Sequence, residues 1–269
     1  QDIDKERQNA DLLMARMIQR LLKETKGQLV SFNGGTKDNA IPRECEASLI
    51  YESDEEAAKA EELACELAET YAEELTPAEP DFSCEISCET NRTAEAIPQD
   101  AAKEFICAMR LAPNGIQKRN IKMDGFVVVS LNLGVVRTEE DRIVMIFSPR
   151  SSVASLQEDT KERLNTLAET FGFTVSHSSE YPGWSFKEDS PVREICKESY
   201  KELFGEDLKI EAIHAGLECG LFSDAIKGLD AIAIGPTIAN CHTPDEYLTL
   251  DSFERFYEFL KDILSRLAK

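Results

Sequence analysis

A chain of 269 residues with a formal charge of −21 and 42% hydrophobic residues is long enough for two domains and ordinary in apolar content. A surface this acidic argues against a nucleic-acid partner, and no apolar run approaches the ~20 residues that a membrane span needs. The 8 cysteines are scattered with no CxxC pair, and with no secretory leader expected they are read as free thiols in a cytoplasmic protein.

Residues 4–24 predict the first helix, because Ala10, Leu13, Met14, Met17, Ile18, Leu21 and Leu22 recur at three- and four-residue spacings. Asp4 is its expected N-cap, and Gly27 its end. A strand over 29–32 is closed by Asn33-Gly34-Gly35, and a second follows over 43–51. The 54–75 stretch predicts an acidic helix with Ala57, Ala60, Leu63, Ala64, Leu67 and Tyr71 turned inward. Residues 51–100 hold 16 Asp and Glu against 2 Lys and Arg, which is expected to be a solvated face. The alternation of Phe82, Cys84, Ile86 and Cys88 predicts a third strand. A helix over 101–111, strands over 125–136 and 142–147, a helix over 156–171 and a strand over 173–177 come next. The order helix, strand, strand, helix, strand thus occurs twice, without sequence identity between the halves. Each half has the order of a ferredoxin-like unit lacking or sharing its first strand. The expected fold over 1–180 is α+β, an antiparallel sheet with helices on one face.

Tyr181-Pro182-Gly183-Trp184 breaks this order. Beyond it the chain predicts a helix opened by Ser190-Pro191, a strand over 208–213, a short helix near 222–227 and a strand over 229–234. A last helix over 252–267 has Phe253, Phe256, Tyr257, Leu260, Ile263, Leu264 and Leu267 as its expected inner face. Alternating α and β implies a parallel sheet covered on both sides. Two strands cannot make that sheet, so 181–269 has the character of the α/β part of a larger domain.

Chemistry concentrates beyond the ends of these last two strands. The run ending at Ile234 is stopped by Gly235-Pro236, and the loop after it carries Cys241, His242, Thr243, Pro244 and Asp245. The preceding strand ends in the same manner on His214-Ala215-Gly216-Leu217-Glu218-Cys219-Gly220. Open α/β sheets bind ligands at this edge. A single loop histidine, taken alone, is equally a surface residue.

The stretch HAGLECG, followed some twenty residues later by IGPTIANCHTPDE, resembles the C-terminal end of aminoacyl-histidine dipeptidases, zinc peptidases of the aminoacylase and glutamate-carboxypeptidase family. The resemblance covers essentially the whole chain. It implies a lid domain over 1–180, built of two similar halves, and the C-terminal segment of the catalytic domain over 181–269. The chain begins just after the point where relatives carry a Gly-Gly-His-Ser-Gly stretch. It is therefore expected to be a fragment, inactive by itself, whose general base and remaining metal ligands lie in a preceding segment. His242 matches the family's C-terminal zinc-binding histidine. Asn39, in GGTKDNAIPRE, resembles the lid asparagine that bonds to the substrate carbonyl region, although by itself it is a turn residue before Ile41-Pro42. Arg150, in FSPRSS, resembles the arginine that holds the substrate's carboxylate, although by itself it is an exposed strand-end residue. Gly216 resembles a position where backbone approaches the substrate. Glu218 and Cys219 are open to either packing or ligation. The implied activity of the parent is zinc-dependent hydrolysis of Xaa-His dipeptides, with room for a homo-oligomer. An acylase or deacylase of the same family, and a non-catalytic binding or dimerisation module, are the alternatives.

Overall fold

The computed structural model describes the chain except residues 1–2, 4–6, 76–78, 91–92, 122–124, 179–183, 185–186, 188, 212–217, 241–244 and 269. The chain divides into two compact units, Gln1–Ser179 and Glu180–Lys269.

The first unit opens on α1 (Ala10–Glu24), shorter than the periodicity suggested. Its cap is Asn9, whose Oδ1 accepts from the Asp11 and Leu12 N–H groups at 3.0 and 3.3 Å. The expected cap, Asp4, lies outside the described residues. The helix ends at Thr25, two residues before Gly27, because the Thr25 hydroxyl and N–H both return to the Leu21 carbonyl. Strands β1 (Gln28–Gly34) and β2 (Cys45–Ile50) pair antiparallel. Helix α2 (Asp54–Leu75) buries Ala60, Ala64, Leu67, Tyr71 and Leu75 and leaves its glutamates on the outside, the solvated face that the charge run implied. Helix α3 (Gln99–Leu111) follows.

Three strands come next: β3 (Gly115–Asn120), β4 (Phe126–Thr138) and β5 (Ile143–Ser151). Helix α4 (Ala154–Phe171) then packs on β5 beside α3 and ends on Gly172 in the left-handed region. The 13 residues of β4 form the spine of a five-stranded antiparallel sheet. One edge of β4 carries β5. The other edge is shared, with β3 along residues 126–131 and β1 at Val136, opposite Gly34. Helices α1, α2 and α3 close one core over the sheet, with Ile18, Leu29, Phe32, Tyr71, Phe105, Ile106, Leu133 and Val136 among its buried members. Phe32 and Phe105 meet edge to face at 5.4 Å.

Two expectations for this unit are corrected, and one strand was not expected. Phe82, Cys84 and Ile86 do face the core alternately, but the 82–88 segment is unpaired and Cys88 is exposed. Alternation reports burial, and a strand also needs a partner edge. Residues 173–177 form no strand either, and Val175 is exposed. Conversely β3 escaped notice because GIQKRN is polar. It is an edge strand with Lys118 and Arg119 exposed, the charged type that discourages further pairing.

In the second unit, α5 (Pro191–Phe204) starts as expected, with the Ser190 hydroxyl accepting from the Arg193 N–H at 3.2 Å and proline at the first turn. Helix α6 (Glu218–Ala225) and the terminal α7 (Leu250–Leu267) complete it. Cys196, Phe259 and Ile263 form a small core joined by Tyr200, Phe204, Leu208 and Ile232. The expected inner face of α7 is rotated: Phe259 and Ile263 are buried, while Phe253, Tyr257, Leu264 and Leu267 are exposed. The expected parallel sheet is also corrected. Residues 208–211 and 229–234 pair with nothing among the described residues, and the one described pairing is antiparallel, between β6 (Ile238–Ala239) and β7 (Tyr247–Leu248). An apolar run without neighbouring strands has no ladder to join.

Candidate functional site

The loop after β1 lies against β4, backbone on backbone. Gly35 has φ of 69°, and a Cβ there would stand 1.9 Å from the Gly134 carbonyl oxygen. A Cβ on Gly134 would stand 2.3 Å from the Asp38 carbonyl oxygen. Each glycine is needed for this approach. Asn132 then fixes the loop: its Nδ2 donates to the carbonyls of Asp38 at 3.1 Å and Ala40 at 2.8 Å. Asn39 lies between the two gripped carbonyls and is exposed.

Arg150 stands on β5 opposite Ser130, and Ser148 stands opposite Asn132. Directly paired residues share a face, and neighbours along a strand alternate. Leu133 and Phe147, the next pair, belong to the helix-covered core. Asn132, Ser148, Ser130 and Arg150 therefore occupy the opposite face, the one on which the 38–40 segment lies. The Ser130–Arg150 pair is about 7 Å along the sheet from the Asn132–Ser148 pair. The structure brings Asn39 and Arg150 to one face of one sheet, an exposed amide and a half-buried guanidinium. An amide can bond a carbonyl, and a guanidinium matches a carboxylate in a bidentate fork.

The other site residues named from sequence, Gly216 and His242, lie outside the described residues, as does His214. His177 is exposed, with Nε2 3.0 Å from Asn165 Oδ1. Glu218 opens α6, and the half-buried Cys219 thiol donates to the Ile232 carbonyl at 3.9 Å. Among the described residues no three His, Cys, Asp or Glu side chains come together in a way that could hold a metal ion. The described residues alone therefore do not fit a zinc centre.

Sequence reasoning missed the groups that hold β4 and the loop together. Asn132 and Gly134 were visible as a polar residue and a glycine inside the apolar run FVVVSLNLGVV. At the gap between β3 and β1, the Leu133 N–H donates to Asn114 Oδ1 at 2.8 Å, and the Leu133 carbonyl accepts from Asn9 Nδ2 at 2.8 Å. Two asparagine side chains stand where a strand would otherwise pair. Beneath the β1 end, Asp11 is fully buried, and a Cβ on Gly34 would overlap its Oδ1. Burial pushes the Asp11 carboxyl up to about 7, and the Cys45 thiol beside it draws it down. The Cys45 thiol is itself pushed far up by burial and by Asp11, so it stays protonated.

The first unit is an α+β domain whose antiparallel sheet carries a loop and an arginine on the face away from its helices. The profile of Peptidase family M20/M25/M40 matches residues 35–266, and the chain belongs to this family. It is 32% identical over 263 residues to the cytosol non-specific dipeptidase of Escherichia coli (strain K12), covering 96% of this chain and 53% of that protein. The solved aminoacylhistidine dipeptidase of Vibrio alginolyticus is similar at 32% identity with a TM-score of 0.83, over 98% of this chain and 54% of that one. The chain spans about half the length of these relatives.

Proposed function

We propose that this chain is the lid, residues 1–180, and the C-terminal catalytic segment, residues 181–269, of a cytoplasmic dipeptidase that hydrolyses Xaa-His dipeptides. The carrying observation is that Asn39 and Arg150 share the helix-free face of one sheet in a chain 32% identical to two dipeptidases along nearly its whole length. Arg150 takes the free carboxylate of the dipeptide. Asn39 bonds to the carbonyl region, where negative charge develops as the peptide bond is attacked. Gly216 lets backbone approach the substrate. His242 would supply one ligand to a zinc ion, which would activate the attacking water, with the rest of the set and the general base outside the described residues.

The test is a substrate panel on the full-length protein: Xaa-His dipeptides, other dipeptides and N-acyl amino acids. Preferential turnover of Xaa-His dipeptides is expected, and exclusive turnover of N-acyl amino acids would replace this reading with an acylase. Arg150→Ala removes a charge-assisted pair of ~1.5–3 kcal/mol, so kcat/KM on free dipeptides should fall about 10- to 150-fold. A variant with unchanged efficiency would make Arg150 a surface residue.

A further inference from the structure

We infer that Asn132 is a positioning residue for the site, acting through Asn39 without touching the substrate. The inference rests on the functional reading above and adds the device that sets its geometry. One nitrogen, Asn132 Nδ2, bonds the carbonyls on both sides of Asn39, at 3.1 Å to Asp38 and 2.8 Å to Ala40. Both hydrogens of that amide are thereby spent on a single turn of loop. Its Oδ1 is buried and has no hydrogen-bond partner among the described residues. Burying an acceptor in this way is costly, so the position is occupied for its two donors. A hydroxyl carries one donor and a carboxylate none. Asparagine alone among the side chains of this size gives both.

The surroundings make the grip directional. Gly134, two residues along β4, leaves room for the Asp38 backbone, and Gly35 turns the chain onto Gly134. The far end of the loop is tied by the Pro42 carbonyl, which accepts from the Ala10 N–H at 3.1 Å. Asn39 is thus the exposed tip of a segment held at both shoulders. Asn132 belongs to the same pair of strands that presents Arg150, with Asn132 opposite Ser148 and Ser130 opposite Arg150. The amide and the guanidinium are spaced by one ladder rather than by a free loop. A dipeptide needs a fixed distance between its scissile carbonyl and its terminal carboxylate, and a small misplacement costs rate.

Asn132→Asp is close to isosteric and removes both donors. In the 269-residue chain, hydrogen exchange at the amides of residues 36–41 should rise about tenfold, with β4 and β5 amides unchanged. In the full-length enzyme kcat should fall about as far as in Asn39→Ala while KM changes little, and the double variant should be no worse than either single one. Unchanged exchange, or kcat losses that multiply in the double variant, overturns the inference. Asn132→Ser, which keeps one donor, should fall between wild type and Asn132→Asp in exchange, and it replaces the aspartate variant if that one fails to fold. If Asn39→Ala leaves kcat intact, the reading of Asn39 as a substrate contact fails, and the exchange measurement still decides whether Asn132 orders the loop.

Discussion

Asp11 sits in the first turn of α1, fully buried, with a Gly34 that any side chain would drive into it. An ionised carboxylate here would have lost its water, and the Cys45 thiol beside it compensates only in part. Its folded value of about 7 stands above the ordinary 3.8. The folded state therefore holds a proton that the unfolded chain releases. The associated stability is full below pH 3.8, and it is lost as the pH rises to about 7. Asp11→Asn keeps the shape and removes the titration. It should gain on the order of 2–4 kcal/mol at pH 8 relative to wild type, and the gain should shrink toward zero near pH 4. Urea unfolding at several pH values measures this, and parallel pH profiles for the two proteins would show that Asp11 does not titrate in this window. The same residue shows why much of the site was hidden in the sequence. Asn39 and Arg150 stand beside turn and strand-end signals and could be picked out by motif. Asp11 and Asn132 matter through partners that are respectively 23 and 92 residues distant, Gly34 and Ala40, and no local pattern records such a meeting.

The sheet is held at its middle by very little. Strands β1 and β4 share one ladder pair, Gly34 with Val136. Thr138 extends this contact by side chain: its hydroxyl accepts from the Phe32 N–H at 2.8 Å and donates to the Phe32 carbonyl at 3.1 Å, and its own N–H donates to Asn33 Oδ1 at 2.9 Å. Thr138→Val is nearly isosteric and leaves both backbone groups of Phe32 without that partner. The expected cost is about 2 kcal/mol, seen as a melting temperature lower by roughly 4–8 °C. An unchanged melting temperature would mean that the single ladder pair is sufficient. Helices were legible at this scale because their signal is internal: the spacing lies within the element in α2 and α3, and in α5 the Ser190 cap and the Gly205 stop adjoin it as well. Strands were legible only where the partner was adjacent, as in β1 with β2 and β4 with β5. The 82–88 segment shows the limit. Its alternation is real, since Phe82, Cys84 and Ile86 do face the core, but pairing depends on an edge elsewhere in the chain. In α7 the periodicity correctly gave a helix and misjudged its face, because Phe253, Tyr257 and Leu264 compete with Phe259 and Ile263 for the inside and the small core accepts only the latter.

At the scale of the whole molecule, the described residues place an exposed amide and a half-buried arginine on one face of a sheet, while no three potential metal ligands converge among them. An amide and a guanidinium such as those of Asn39 and Arg150 suit a carbonyl and a carboxylate, but neither has a free lone pair of the basicity that proton abstraction from water requires. The acidic surplus does not fill the gap. Most glutamates of α2 face solvent, Glu74 pairs with Arg16 and Glu56 accepts from the Lys26 N–H, and no three potential ligands converge among the described residues. A catalytic zinc takes about three protein ligands and keeps one open position, a set that the described residues do not supply. The relatives 32% identical to this chain are about twice as long. The 269-residue chain by itself should therefore give no turnover of an Xaa-His dipeptide, with or without added zinc. It should still bind such a dipeptide weakly, and Arg150→Ala should abolish that binding. The measurement pairs a zinc-supplemented peptidase assay with titration of the dipeptide by calorimetry or NMR. Absence of turnover together with Arg150-dependent binding is the expected result. Clear zinc-dependent turnover by this chain alone would mean that a complete metal site lies within it, built from residues such as His214, Glu218 and His242.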